Sequence, residues 1–425
     1  MSINLADLDR RHVWHPHTRF STIAAGPLPS IVRGEGLYLF DADGNRYADA
    51  IASWWCCCLG HGHPRIVEAI RRQAGQLQHS ILAGLSHPRV AELAARLANV
   101  MPSPDRHVLF ASDGASAVEA ALKIALQYWD NHGVTKRHQF AYLDNAYHGD
   151  TFGAMSVGFL EHFHRPFEPV LMTGHGITVP YSGADMEAAT NDLRDLLVEH
   201  ASELAGVIVE PLCQCAAGMK TYPAEFLRLI GVLCRELRIP LIVDEIATGM
   251  GRAGTMFAFQ QAGIDPDIVC LGKALAAGYV PISATIVKDR IHATFGDSPD
   301  DHTLYHGHTF GGNPVAAAAA IETLGVFEDE RILDQARETG RRISAALAPL
   351  AGWPGVREVR CLGAMGAVEF DDATRAAKAG NRLRAQRILV RPLGGVIYLM
   401  PPLNTPSADL DALLGAFCEA VGSAG

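Results

Sequence analysis

The chain has 425 residues, 48% of them apolar and 19% charged, enough for one large core or for a large and a small domain. Its net charge of −10 argues against a nucleic-acid or anionic-membrane surface as main partner, while leaving room for a local pocket that takes a small anion. No apolar run approaches the ~20 residues of a membrane span, and the longest, Val315 to Ile321, is short and alanine-rich.

The opening MSINLADLDRRHVWHP has neither the cationic start nor the apolar centre of a secretory leader, so a cytoplasmic protein is expected. Residues 35–50 predict a β-hairpin turning at Asp43-Gly44-Asn45. Nine cysteines is an odd number, and Cys56, Cys57 and Cys58 are contiguous. That spacing fits neither a disulfide framework nor a tetrahedral zinc site, and reduced core or loop thiols are expected.

Six short apolar runs follow as strand candidates: 107–112, 139–144, 206–211, 240–245, 267–272 and 283–288. Several are apolar throughout, as in strands buried on both faces of a parallel sheet. Helical patterns lie between them. In Ala117–Trp129, for example, Val118, Leu122, Ala125 and Trp129 share a face. Alternation of this kind predicts an α/β fold with a mostly parallel central sheet. Asn313-Pro314 suits a capped helix start with a first-turn proline, opening a long helix that leaves the sheet. A large domain over 53–321 is expected, with 1–52 and 322–425 forming a small α+β domain.

Ligands of such sheets gather at the carboxyl ends of the strands. Those ends carry Ser112-Asp113-Gly114, Asp144-Asn145, Glu210-Pro211, Asp244-Glu245 and Gly272-Lys273. Lys273 follows an apolar strand directly, where desolvation favours the neutral amine needed for imine chemistry; a lysine reaching solvent is the plain alternative. Asp244 closes the apolar run PLIVD. A buried carboxylate there needs a cation, either a protonated pyridine nitrogen or an ion pair with Arg252. The turn Ser112–Ser116 leads into a helix, so the backbone N–H groups of Gly114 and Ala115 are candidate anion donors, while Ser116 with Glu119 reads as a capping box.

Gly249-Met250-Gly251-Arg252-Ala253-Gly254 matches a dinucleotide-binding pattern, but it begins beyond the strand end and opens no helix, so a turn is the better reading. His61 with His63, and His306 with His308, lack helical metal-ligand spacing and a third ligand, and no metal is expected.

At this point the residues resemble the class III PLP-dependent aminotransferases along nearly the whole chain. The shared marks are the DE-x-x-x-G-x-G-R-x-G run from Asp244, LGKAL around Lys273, and HTFGGNPVAAAAA from His308. Further stretches are similar to the branch that aminates 8-amino-7-oxononanoate in biotin biosynthesis: WHP at Trp14, SWW at Ser53–Trp55, LQYW ending at Trp129, YHGDTFGAMSV from Tyr147, and IYLMPP from Ile397. The resemblance implies the fold type I architecture, pyridoxal phosphate as cofactor, small-molecule substrates, and a homodimer with active sites at the subunit interface. It makes Lys273 the imine lysine and Asp244 the partner of the pyridine nitrogen. Gly114 and Ala115 become phosphate donors, with Tyr147 and His148 against the ring and Tyr147 counted with the catalytic residues. His308 and Thr309 would reach the neighbouring subunit's phosphate.

Trp54, Trp55, Tyr147, Gly307, Arg391, Tyr398 and His17 would line the substrate site. An aromatic wall suits a long aliphatic keto-amine, and Arg391 can fork onto a carboxylate. Two positions depart from the family pattern: Ala115 stands where many relatives have Ser or Thr, and His17 where adenosylmethionine-using members have Tyr. His17 leaves the amino donor open between adenosylmethionine and lysine. Another ω-aminotransferase activity, on ornithine, γ-aminobutyrate or a polyamine, is the alternative within the class. A PLP-dependent racemase, mutase or decarboxylase is the alternative outside it.

Overall fold

A seven-stranded sheet organises the larger part of the computed structural model, which describes residues 5–296 and 301–424. Its strands are β1 (Arg106–Ala111), β2 (Gln139–Leu143), β3 (His175–Ile177), β4 (Leu204–Val209), β5 (Leu241–Asp244), β6 (Ile268–Leu271) and β7 (Ser283–Lys288). They lie in the order β1-β7-β6-β5-β4-β2-β3. β7 runs antiparallel to β6 and β1, and the other pairings are parallel. Every residue of β4, β5 and β6 is buried. Layers cover both faces there, which is why these sequences do not alternate.

Helix α1 (Gly114–Asp130) leaves the end of β1 and lays Ala117, Ala121, Leu122 and Ala125 in one core with Ile208, Ile242 and Ile268 of the sheet. The capping box expected at Ser116 is not its start. Asp113, in extended backbone at φ −148°, is the cap: its carboxylate accepts the Ser116 N–H at 3.0 Å and the Ser116 hydroxyl at 2.9 Å. With the cap three residues earlier, Glu119 is free to accept from the Thr151 hydroxyl and from the N–H groups of Gly153 and Ala154. Helix α2 (Pro314–Asp329) begins where expected, its cap Asn313 accepting from Val315 and Ala316. Its alanine run is buried, and the short side chains let the helix lie close to helices Pro64–Ala74 and Pro88–Asn99.

The second unit contains a hairpin, Tyr38–Asp41 with Arg46–Asp49, flanked by Ile31–Glu35 and by Ile388–Leu389. Gly44 turns it at φ +82°, and the Asp41 carboxylate collects the N–H groups of Asp43 and Asn45. An antiparallel sheet of Val356–Leu362, Met365–Phe370 and Val396–Leu399 completes it. Ala50 shares a core with Ile343, Phe370, Leu399 and Phe417, so segments from both ends of the chain pack together. The larger core continues past α2 to Ile332 and Ala336, and the helix Ile332–Leu347 passes from one core to the other. No helix among the described residues is long and apolar enough to cross a membrane.

Candidate active site

The carboxyl ends of β1, β2, β4, β5 and β6 converge on a cavity of about 440 Å³. Gly114, Ala115, Tyr147, His148, Glu210, Asp244, Lys273 and Trp55 line it, with Asp113, Gly149, Asp150 and Thr151 beside them. Asp244 closes β5, while Asp113, Glu210 and Lys273 follow within two residues of the ends of β1, β4 and β6.

On the floor, Asp244 is 5% exposed and fully tied down. One oxygen accepts from His148 Nδ1 at 2.7 Å and the other from the Ile246 N–H at 3.0 Å. Arg252, weighed above as its partner, turns elsewhere: its guanidinium donates to the carbonyls of Pro401 and Ala364 at 2.6 and 3.3 Å. Burial draws the Arg252 pKa down to about 10. The run Gly249–Gly254 forms turns and opens no α-helix, only a short 3-10 helix (Ala258–Ala262) following further on, and Met250, Gly251 and Gly254 adopt positive φ. His148 Nε2 is buried with no hydrogen-bond partner, an orphan that a bound group would have to satisfy or cover.

At one side the first turn of α1 presents N–H groups that have no intrahelical acceptor. Gly114 belongs there for a steric reason: a Cβ would sit 2.9 Å from two carbons of Ile246. Gly149, at φ +130°, would place a Cβ 2.5 Å from that of Ala115. The cradle is therefore backbone-lined, as close approach of an anion requires. Lys273 rises from the end of β6 with φ +40°, a left-handed conformation that costs an L-residue roughly 1–2 kcal/mol. Strain of this kind persists where the surroundings aim a side chain. The Lys273 ammonium lies 5.1 Å over the Trp55 ring.

Tyr147 donates its N–H to Glu210 at 2.9 Å, and its ring stacks on His164 at 5.8 Å. Burial pushes the Tyr147 phenol up and the Glu210 carboxyl well up, disfavouring the charged form of each. Asp150 sits between His164 Nε2 at 3.7 Å and His17 Nε2 at 3.8 Å, and the His164 imidazole facing it helps hold its carboxyl below the usual range.

Further out, Trp54 is sandwiched. Arg391 lies 4.0 Å over its ring and His17 meets it edge-on at 5.3 Å. Trp55 is 5% exposed and donates its indole N–H to Tyr398 at 3.2 Å. Tyr398 itself has no exposed surface and backs the wall rather than forming it. Gly307, His308 and Thr309 are not among the residues lining the cavity of their own chain. Gly307 and Thr309 are exposed there and His308 is half-buried.

Several residues of the site had no role assigned from sequence. Glu210 stood out only as an acid at a strand end. Asp150 gave no signal beyond the YHGDTFG stretch and His164 gave none, because their contacts are tertiary. Two surface groups also bring metal-ligating atoms together, His107/Asp289/His292 and His175/His200/Glu203. Their histidine rings stack face to face at 3.5 and 3.8 Å, so ring faces rather than lone pairs meet. Neither group touches the cavity lining.

A buried carboxylate, an N–H cradle, an unpaired imidazole nitrogen and a strained lysine together suit a planar group with an anionic arm and an electrophilic carbonyl. The family model described as aminotransferase class-III matches residues 23–421. The chain is 40% identical to the adenosylmethionine-8-amino-7-oxononanoate aminotransferase of Nitratidesulfovibrio vulgaris, over 96% of this chain and 80% of that one. It is 39% identical to the protein of the same name from Synechococcus elongatus, over 96% and 98%. The crystal structure of the Methanocaldococcus jannaschii protein of that name superposes with a TM-score of 0.93 at 36% identity, covering 98% of each chain. An amine transaminase from an uncultivated Pseudomonas species, solved in its PLP-bound form, superposes with a TM-score of 0.90 at 32% identity, over 97% and 98%.

Proposed function

The chain belongs to the class-III aminotransferases, and on that basis we propose that it transfers an amino group to 8-amino-7-oxononanoate, giving 7,8-diaminononanoate for biotin biosynthesis. What carries this reading is the near-full-length similarity to relatives of that name, joined to a wall of Trp54 capped by Arg391 beside the cavity. A long aliphatic keto-amine that ends in a carboxylate matches such a wall: apolar surface for the chain and a guanidinium for the acid.

Pyridoxal phosphate fits the residues present. The N–H groups of Gly114 and Ala115 would take its phosphate, Asp244 its ring nitrogen, and Tyr147 and His148 its ring. When bound, it supplies an electrophilic carbonyl and an electron-accepting ring. The chain's own groups do the rest. Asp244, held by His148 and the Ile246 N–H, keeps a negative charge fixed on the cavity floor. Lys273 would provide the amine that holds the carbonyl group, and its amine would move the proton at the amine-bearing carbon of the substrate. Burial disfavours ionisation of Tyr147 and Glu210, which weighs against a second negative charge beside Asp244.

Adenosylmethionine is the proposed donor. His17, edge-on to Trp54 and 3.8 Å from Asp150, keeps lysine as the competing donor, since it brings an imidazole to the mouth of the site. The enzyme is read as a cytoplasmic homodimer. Gly307, His308 and Thr309 lie off their own cavity, between exposed Tyr305 (80%) and Phe310 (62%), and would complete the site of a second copy.

The test is a pair of half-reactions. Purified enzyme is mixed with adenosylmethionine and with lysine separately, and the visible band of the bound cofactor is followed. 8-Amino-7-oxononanoate is then added and the diamine measured by mass spectrometry. Diamine formation with either donor is expected. No diamine with any donor, together with turnover of ornithine, γ-aminobutyrate or a polyamine, would replace this reading by the broader ω-aminotransferase one.

A further inference from the structure

The most disfavoured backbone in the described chain is one short stretch beside the cavity. Ala52, Ser53, Trp54 and Trp55 have consecutive φ angles of 47°, 46°, 68° and 75°. This is about a turn of left-handed helix made from residues that carry side chains, a conformation normally visited by single residues, glycine above all. Left alone, such a segment would relax to right-handed or extended backbone, so its surroundings must hold it.

Backbone bonds close the turn, Trp55 N–H to the Ile51 carbonyl at 2.8 Å and Cys56 N–H to that of Ala52 at 3.0 Å, and Asp49, at the end of the strand Arg46–Asp49 and 1% exposed, tethers it from outside. The Ser53 hydroxyl donates to Asp49 Oδ2 at 2.6 Å, and His61 Nε2 meets the same oxygen at 2.9 Å. Burial works against the ionised carboxylate, but the bonds from His61 and Ser53 outweigh it, and the carboxyl lies below its usual range. His61 is itself immobilised. Its N–H and carbonyl pair with Gly36, Gly60 and Gly62 flank it at φ +72°, and a Cβ on Gly34 would lie 2.7 Å from the His61 Cβ and 2.8 Å from its ring. Serine, aspartate and histidine meet here without the serine bonding the histidine. Both bond the carboxylate, so the group anchors and activates no hydroxyl.

The anchored turn carries both tryptophans of the wall. Trp54 supports Arg391 at 4.0 Å, and Trp55 lies under the Lys273 ammonium at 5.1 Å. We propose that Asp49 is a positioning residue: by tying Ser53 to His61 it locks the left-handed turn and so sets the aromatic wall against which the substrate's aliphatic chain packs. This rests on reading the cleft as the substrate site.

The experiment compares Asp49→Asn, Ser53→Ala and Ser53→Gly holoenzymes in steady state, with whichever donor and acceptor the wild type turns over. Loss of a charge-assisted bond that shapes a binding wall should raise KM by about 10-fold or more while kcat changes by less than about 3-fold. Cofactor affinity should stay unchanged. Ser53→Gly relieves the backbone yet cuts the tether, so it should show the same KM rise without loss of Tm. Wild-type KM values in Ser53→Ala and Ser53→Gly would overturn the proposal, even if Asp49→Asn did not fold. So would a parallel fall of kcat and Tm in all three variants, since that is the mark of general destabilisation. If the wild type does not aminate 8-amino-7-oxononanoate, that assignment fails by itself, and the KM comparison made with the substrates that do react still decides the role of Asp49.

Discussion

His148 Nδ1 donates to Asp244 Oδ2 at 2.7 Å, and both side chains are almost wholly out of solvent. The pair orients the carboxylate from below and leaves its charge to act on whatever lies above the cavity floor. Asp244→Asn keeps the shape and an acceptor for His148 but removes that charge. Deleting one preorganised electrostatic group costs about 10²–10³-fold in kcat, and a loss of that size is expected with little change in Tm. A variant within a few-fold of wild type would remove Asp244 from the mechanism.

Lys273 is aimed by a left-handed backbone at the end of β6, and the proposed function needs it as an amine rather than as a cation. Lys273→Ala should abolish turnover, because a positioned acid–base group alone is worth about 10²–10⁴-fold and the covalent attachment is lost as well. Lys273→Arg separates the two properties. It keeps a charge near Trp55 but offers no amine, so it should be as inactive as the alanine variant. Borohydride treatment followed by peptide mass spectrometry should find the cofactor fixed to Lys273 in the wild type and to no residue in either variant.

The cradle at Gly114 has a steric test. In Gly114→Ala the new methyl would meet Ile246 at 2.9 Å. Overpacking of this kind costs about 1–3 kcal/mol, which should appear as cofactor binding weakened by about 10- to 100-fold in a spectral titration. Adding Ile246→Ala to Gly114→Ala makes room for the methyl and should recover most of the affinity. No recovery would mean that Gly114 acts by something other than space.

Tyr398 stands behind Trp55, and its phenol accepts the indole N–H at 3.2 Å. Tyr398→Phe leaves a buried donor without a partner, at about 1–3 kcal/mol. Thermal denaturation should show a Tm lower by several degrees, with substrate KM little changed. A large KM rise at unchanged Tm would instead place the phenol in contact with substrate, as the sequence resemblance implied.

How far the site was legible follows from where its partners lie. Asp244 and Lys273 stood out because each ends an apolar run, a local signal. The partner of Asp244 did not: the nearby candidate Arg252 is turned to two carbonyls, and His148 lies 96 positions away in the chain. The cap of α1 was misread by three residues because Ser116 and Glu119 have the right spacing, while Asp113 has the right backbone. Tyr398 and Trp55 are 343 positions apart, so only the folded chain shows which one backs the other. Six of the seven strands of the large sheet were legible because burial leaves an apolar run, while the three-residue edge strand His175–Ile177 is too short and too polar to stand out. The left-handed turn at Ala52–Trp55 was not, since its residues have no local preference for it.

Glu245 sits beside Asp244 in sequence but belongs to the scaffold. Its carboxylate accepts from the Phe259 N–H at 2.8 Å and from the Thr248 hydroxyl at 2.7 Å, and burial pushes its pKa up to about 7 from 4.5. A carboxyl whose folded pKa is raised binds its proton more tightly when folded. Its contribution therefore favours the fold at low pH and is lost as pH rises from about 4.5, where the unfolded chain ionises, to about 7. The difference amounts to a few kcal/mol, roughly 1.4 per unit. Glu245→Gln keeps an acceptor for Phe259 and can donate to Thr248 without ionising. It should flatten the decline of stability between pH 5 and pH 8, as followed by denaturant unfolding at fixed temperature, and be the more stable protein at pH 8. A decline as steep as that of the wild type would assign the pH dependence to other groups, Glu210 first among them, since its carboxyl is raised in the same direction.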